Sequence, residues 1–248
     1  MLAKFSRMLL VPAFCLSAIF ADRAEATEYY TATPPADALL GPVAADGARH
    51  FLMVFGAESS PKRARYTHTW ATWVKSTPQP DGTRLLEVNT ISWMPASLVI
   101  RPLALRGECG VNLTLQATLR DCFAKGECVA MWGPYEYDPS VAPRIHEQVH
   151  RQIAKLNSGC ILYKCIDPDK GPRSRYLSDC IHAVTDLDPY QPRPFYSELQ
   201  NWGMDASRRL VQVLASRHRF NPKVTQEWIA AAIGVGECVQ RRTIPVCK

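Results

Sequence analysis

The sequence predicts an α+β fold, in which an antiparallel sheet packs against helices inside one domain. Segments of alternating apolar and polar residues follow one another between positions 51 and 93, with a turn at 78–82, which is the pattern of a strand meander. Farther along, apolar residues recur at helical spacing over 142–156. With 47% hydrophobic residues in 248, the chain has enough apolar material for one sizeable core, which excludes disordered and collagen-like classes.

The first 26 residues predict an export signal. Lys4 and Arg7 precede an apolar run over 8–20, and Ala24-Glu-Ala26 supplies the small-x-small pattern that a signal peptidase cleaves. The run is shorter than the roughly 20 residues that a membrane-spanning helix needs. We therefore expect an exported protein, periplasmic or extracellular, with no transmembrane segment after processing. A retained N-terminal anchor is the alternative.

Two regions follow this signal. Residues 27–47 are rich in Ala, Pro and Thr and show no period, which predicts a linker or an extended strap. Residues 48–248 are predicted to form a single α+β domain with a helical C-terminal part.

The first elements of this domain are strands, predicted over 51–55, 66–75 and 84–93. Successive side chains point to opposite sides of a strand, so His68 is assigned to one face of the second strand. By the same rule Glu87 and Asn89 share one face of the third strand.

The rest of the domain alternates between helices and short strands. A helix start is predicted at Ser178 or Asp179, because both are good N-cap residues, and this helix should stop before the Asp188-Pro189 turn. The other strands are predicted over 129–132 and 161–166, and the other helices over 111–122, 142–156, 204–217 and 223–233.

The charge of the chain is mildly basic, with 29 Lys+Arg against 23 Asp+Glu and a net charge of +6. The basic residues are scattered in small clusters, and no stripe of aromatic residues accompanies them. Solvated surface charge explains this pattern, so we expect no nucleic-acid partner.

One regular motif of the sequence is His146-Glu147-Gln-Val-His150, the H-E-x-x-H pattern of zinc peptidases. In such a motif two histidines one helical turn apart bind Zn²⁺ and the glutamate activates water. The motif falls on the predicted helix over 142–156, which is the required context.

Other features of this helix weaken the zinc interpretation. Ile145 and Val149 belong to the apolar stripe, which leaves the two histidines on a solvated face. A third ligand would have to be Asp167 or Glu198. A zinc hydrolase built on the motif is therefore the alternative, while the main interpretation requires no metal or other cofactor.

A second set of residues suggests thiol chemistry. Cys180 falls in the first turn of a predicted helix, where unsatisfied N–H groups and the helix dipole favour a thiolate. His68 could serve as its base, and Glu87 or Asn89 on the next strand could orient the imidazole.

The order of these residues resembles that of a known superfamily. A His on a strand, a polar residue on the next strand and a Cys-x-His helix start, here Cys180-Ile-His182, are similar to the circularly permuted papain-like superfamily. That superfamily includes permuted relatives of NlpC-type peptidases and the lecithin retinol acyltransferase-like enzymes. The resemblance covers about residues 68–183. It implies a catalytic Cys at a helix N-terminus, packed on an antiparallel sheet that carries the His.

The resemblance also implies a role for each residue. Cys180 would attack the carbonyl carbon of an amide, peptide or ester bond, His68 would take and return the proton, and Glu87 or Asn89 would hold the ring. The backbone N–H groups of Cys180 and its neighbour would stabilise the oxyanion. For an exported enzyme the substrate classes are a cell-envelope peptide, peptidoglycan or a lipid.

The cysteines leave a non-enzymatic alternative open. Nine are present, and Cys15 lies in the predicted signal. Short separations suggest three local disulfides, Cys122 with Cys128, Cys160 with Cys165, and Cys238 with Cys247. If Cys109 and Cys180 pair with each other, the chain is a disulfide-stabilised binding or structural protein. If both stay reduced, Cys180 is available for chemistry.

Overall fold

A computed structural model describes residues 27–35, 46–165, 176–187 and 202–244, without the side chains of 222–224. In these residues five α-helices and eleven strands form an α+β fold, which confirms the predicted class. The predicted signal peptide, residues 1–26, lies outside them. No helix in the described part of the chain is long and apolar enough to cross a membrane.

A seven-stranded sheet forms the centre of the molecule. Its main path places six strands side by side and every neighbouring pair is antiparallel, while a seventh strand runs parallel to one of the six. In the order of the sheet these strands are β1 (Thr27–Ala32), β4 (Arg84–Ile91), β3 (Thr67–Pro78), β2 (Arg49–Glu58), β7 (Cys128–Tyr137) and β10 (Phe220–Thr225), with β11 (Gln240–Arg242) beside β7.

A smaller sheet continues from the end of β4, with Ser92 as the one residue between them. Its strands, in spatial order, are β5 (Trp93–Pro95), β6 (Glu108–Asn112), β8 (Leu162–Tyr163) and β9 (Leu177–Ser178). The chain therefore turns out of the large sheet at Ser92, and β4 is shorter than β3.

The helices cover both faces of the large sheet. They are α1 (Leu115–Ala124), α2 (Ala142–Asn157), α3 (Cys180–Thr185), α4 (Met204–His218) and α5 (Glu227–Ala232). Alternation along the strands gives each face its own core. Phe55 and Trp70 pack with α1 and α5 on what we call the first face. Leu52 and Trp73 pack with α2, α3 and α4 on the second face.

Local signals explain where the helices begin. The hydroxyl of Thr114 accepts a hydrogen bond from the N–H of Ala117 and so caps α1. Asp179 caps α3, as the sequence predicts. The predicted helix over 142–156 is confirmed as α2, whose Ile145 and Val149 are buried.

The structure refines two predicted segments. In the segment 27–47, predicted as a linker or an extended strap, Thr27–Ala32 forms edge strand β1, and residues 36–45 lie outside the described part. Tyr30 and Ala32 of this strand pack on the first-face core, which explains why the segment is held against the sheet. The helix predicted over 223–233 begins only at Glu227, because the preceding residues pair with β7 as β10.

Candidate active site

A cavity lies beside β3, beyond the point where β4 has ended. The last paired residues of these strands are Ala71 and Ile91, and no described strand pairs with this edge of β3 at residues 67–70. The start of α3 occupies the place instead. The cavity has a volume of about 50 Å³, more than one water needs. It is lined by Thr67, His68, Thr69, Tyr163, Cys165, Asp179, Cys180, Ile181, His182, Trp202 and Gly203.

Cys180 is the first residue of α3 and is partly exposed. Its Sγ accepts a hydrogen bond from the backbone N–H of Thr69, the residue after His68. Burial raises the pKa of the Cys180 thiol, and the neighbouring Asp179 carboxylate raises it further. At neutral pH the side chain is therefore a thiol.

The resting thiolate expected from the helix N-terminus is thus wrong, and Asp179 supplies a physical reason. Its Oδ1 accepts hydrogen bonds from the N–H groups of Ile181 (2.8 Å) and His182 (2.7 Å). Two of the N–H groups at this helix start are therefore engaged by a carboxylate, while those of Thr69 and Cys180 act on Sγ. Oδ2 of Asp179 lies 2.8 Å from Nδ1 of the buried His182, so the same residue also positions this ring.

The thiol character of Cys180 predicts a pH dependence of alkylation. Because its pKa is raised, the thiolate fraction should grow about tenfold per pH unit from pH 6 to 9. We expect the rate constant for iodoacetamide, followed by peptide mass spectrometry, to rise over that whole range. It should stay below that of an unfolded peptide containing Cys180. A rate constant that has reached its plateau below pH 6, and is therefore the same from pH 6 to 9, would instead indicate a stable thiolate–imidazolium pair.

His68 lies on the first face and is 3% exposed. Its ring stacks on Trp70 at 5.2 Å between ring centroids, and its Nε2 lies 2.9 Å from Oγ of Ser92. Burial lowers the pKa of His68 to about 3, with a smaller contribution from the charge of Lys125. The imidazole is therefore neutral at physiological pH.

Ser92 links the imidazole of His68 to Thr118. Oγ1 of Thr118 donates to Oγ of Ser92 at 2.8 Å and also lies 2.8 Å from the carbonyl oxygen of Thr114. The tautomer of His68 sets the direction of its bond with Ser92: Nε2–H donates to Oγ in one tautomer, and the Ser92 hydroxyl donates to Nε2 in the other. Nδ1 of His68 makes no hydrogen bond within the described residues. In the Nε2–H tautomer Nδ1 carries a lone pair and can act as a base.

The structure does not bring Glu87 or Asn89 to His68. Glu87 pairs with Lys75 and Asn89 with Trp73, which places both on the second face, whereas His68 is on the first. Ser92 contacts the imidazole in their place.

Ser92 is not among the site residues predicted from the sequence, although strand register and side-chain parity contain a signal that identifies it. Extending the β3–β4 register by one residue past Ala71 and Ile91 sets Ser92 opposite Trp70. Trp70 and His68 share a face, so side-chain parity and the turn at 78–82 together identify Ser92 as a neighbour of the imidazole.

Cys180 and His68 line the same cavity, but no hydrogen bond joins Sγ to the imidazole in the described structure. They come from α3 and β3, the helix–strand arrangement that the resemblance implies. No protein-family model, curated protein or solved structure matches this chain. The interpretation of the cavity therefore depends on its own geometry.

No disulfide joins any two of the described cysteines. The local pairs Cys122–Cys128 and Cys160–Cys165 are not formed, and Cys247 lies outside the described residues. Cys180 is not bonded to Cys109.

The histidines of the H-E-x-x-H motif form a second cluster. Nε2 of His150 lies 2.9 Å from Oε1 of Glu87, and Nε2 of His146 lies 3.5 Å from the same atom. Glu147 points elsewhere and pairs with the exposed Arg151 at 3.0 Å. Asp167 and Glu198, the third ligands considered from the sequence, lie outside the described residues.

Proposed function

We propose that this chain is an exported thiol hydrolase or acyltransferase that acts on an amide, peptide or ester bond through Cys180 and His68. The observation that carries the proposal is the shared cavity, in which Sγ of Cys180 binds the N–H of the residue next to His68. In this proposal the neutral His68 carries its proton on Nε2, so that its unused Nδ1 supplies the base.

The first half of the reaction starts from a neutral thiol and a neutral imidazole. Once the two side chains move into hydrogen-bonding reach, Nδ1 of His68 takes the thiol proton while Sγ of Cys180 attacks the carbonyl carbon. A C–S bond forms and the carbonyl π electrons move to oxygen. The imidazolium then gives its proton to the leaving amine or alcohol, the C–N or C–O bond breaks, and a thioester remains.

The second half of the reaction reverses the roles. His68 takes a proton from water in a hydrolase, or from an acceptor alcohol or amine in an acyltransferase, and that group attacks the thioester. Collapse of the intermediate breaks the C–S bond, and the proton returns to Sγ of Cys180. Ser92 accepts the Nε2–H bond throughout and holds the ring in this tautomer.

Backbone N–H groups beside Sγ would stabilise the oxyanion. The N–H of Ile181, the neighbour expected from the sequence, is bound by Asp179 and is unavailable. The N–H groups of Cys180 and Thr69 both act on Sγ and lie closest to the reacting atom. The small cavity suits the acyl end of a substrate, and the predicted export signal favours an envelope peptide, peptidoglycan or a lipid.

Trapping of the thioester tests this function. We expect incubation with p-nitrophenyl esters of graded acyl length to add one acyl group to the protein, located on Cys180 by peptide mass spectrometry. The adduct should be released by hydroxylamine, as thioesters are. Addition only at surface cysteines, with Cys180 unmodified in folded protein, would refute the proposal and favour the non-enzymatic binding protein.

A further inference from the structure

Three ligand-type atoms converge on the second face of the sheet, at the interface of β4 and α2. Nε2 of His146 and Nε2 of His150 are 3.2 Å apart, and both face Oε1 of Glu87. All three atoms lie within 4.8 Å of one another. Around a tetrahedral zinc ion, N and O ligands stand about 3.3 Å from each other, as follows from the usual bond lengths. The triangle therefore already has the size that a zinc ion requires.

Hydrogen bonds alone cannot satisfy all three of these ligand atoms at the same time. A proton bridges two of the three atoms at a time, whereas a cation near the centre contacts the lone pairs of all three. We infer that Glu87, His146 and His150 form a binding site for one Zn²⁺ ion, separate from the Cys180 cavity. Along β4, Glu87 lies five residues before Ser92, about 16 Å of strand away.

The surroundings hold these ligands in place. Nδ2 of Asn89 donates to Oε1 of Glu87 at 2.9 Å, and the hydroxyl of Thr27 donates to Oδ1 of Asn89 at 2.7 Å. The two histidines are one turn apart on α2, whose adjacent side is anchored by buried Ile145 and Val149. Partners that fix the ligands are a regular feature of metal sites. Asn89, expected to orient His68, here orients Glu87.

The ligand set selects the class of metal. Two imidazoles and one carboxylate suit Zn²⁺, Cu²⁺ or Ni²⁺, while Mg²⁺ and Ca²⁺ prefer oxygen ligands alone. Lys75, paired with Glu87 across the sheet, adds a positive charge that opposes any cation. The His150 side chain is 44% exposed, so the remaining coordination positions face water.

The site departs from the zinc-peptidase pattern in its carboxylate. Glu147, which activates water in that pattern, is 68% exposed and pairs with Arg151. Glu87, on a strand 59 positions before His146, completes the ligand set instead. This makes Glu147→Gln a matched control, because it removes one carboxylate from the same motif without removing a ligand.

The test is a titration of the full chain with Zn²⁺ by calorimetry, beside Glu87→Gln, His150→Gln and Glu147→Gln. We expect one Zn²⁺ per wild-type chain, a loss of affinity of tenfold or more in the first two variants, and a change below about twofold in the third. Mg²⁺ should give no binding. Co²⁺ should give a d–d absorption spectrum without thiolate charge transfer, which excludes the cysteines as ligands.

Three results would overturn the inference. They are no zinc binding by wild-type protein with a folded circular dichroism spectrum, a Co²⁺ spectrum with thiolate bands, or equal losses in Glu87→Gln and Glu147→Gln. Because His150 is exposed, His150→Gln should fold normally. This keeps the test valid if Glu87→Gln is unstable.

Discussion

Replacing Cys180 by alanine is expected to lower kcat/KM for an ester substrate by at least about 10³-fold, since the variant lacks the thiol that is proposed to form the thioester. Sγ of Cys180 is the proposed attacking atom, and it is placed by the N–H of Thr69 at the open edge of β3. The measurement is the initial rate of p-nitrophenol release by the purified protein, with the background of the buffer subtracted.

The matched control for this variant is Cys238→Ala. Cys238 is exposed and is not among the residues that line the cavity, so its loss should change kcat/KM by less than about twofold. Thermal unfolding of both variants shows whether they remain folded. Full activity in a folded Cys180→Ala protein would exclude Cys180 as the nucleophile.

Replacing His68 by glutamine is expected to make the protein less sensitive to acid. Burial holds the pKa of folded His68 at about 3, whereas in the unfolded chain its pKa is near the ordinary value of 6.5. Between these values the unfolded state binds more protons, so stability falls as the pH drops through this window. From pH 7 to pH 5 this residue alone should cost about 2 kcal/mol of unfolding free energy.

Urea unfolding at pH 7, 6 and 5 measures this effect as a difference between proteins. Glutamine does not titrate here, so the stability gap between wild type and His68→Gln should shift by about 2 kcal/mol in favour of the variant as the pH falls to 5. His68→Asn should give the same shift, whatever each substitution costs in packing. A gap that is independent of pH would contradict the buried, neutral state of His68.

Much of the fold could be predicted from local patterns. The apolar stripe of α2 and the N-cap of α3 are properties of short segments, and both predictions are confirmed. Alternation also identified β3 and β4, although not the end of β4 at Ile91. Strands β1, β10 and β11 have weak patterns of their own and are ordered by pairing with a neighbour, which no local rule expresses.

The candidate site depends more on contacts between distant segments. Parity along β3 and β4 separates His68 from Glu87, although their order in the chain groups them. The approach of His146 and His150 to Glu87 follows from how α2 crosses the sheet, which the motif does not contain. Ser92 contacts His68 because the chain changes sheets at that residue.

The end of β4 at Ile91 also affects how the protein avoids association with other copies of itself. At residues 67–70 the edge of β3 has no partner strand among the described residues, and such an edge invites strand addition by another chain. The first turn of α3 covers this edge, and Sγ of Cys180 accepts the N–H that an added strand would otherwise bind. The six-residue helix α3, which carries the proposed nucleophile, therefore also protects this edge against edge-to-edge aggregation. We expect a variant with a loosened α3 to lose solubility as well as the proposed reactivity.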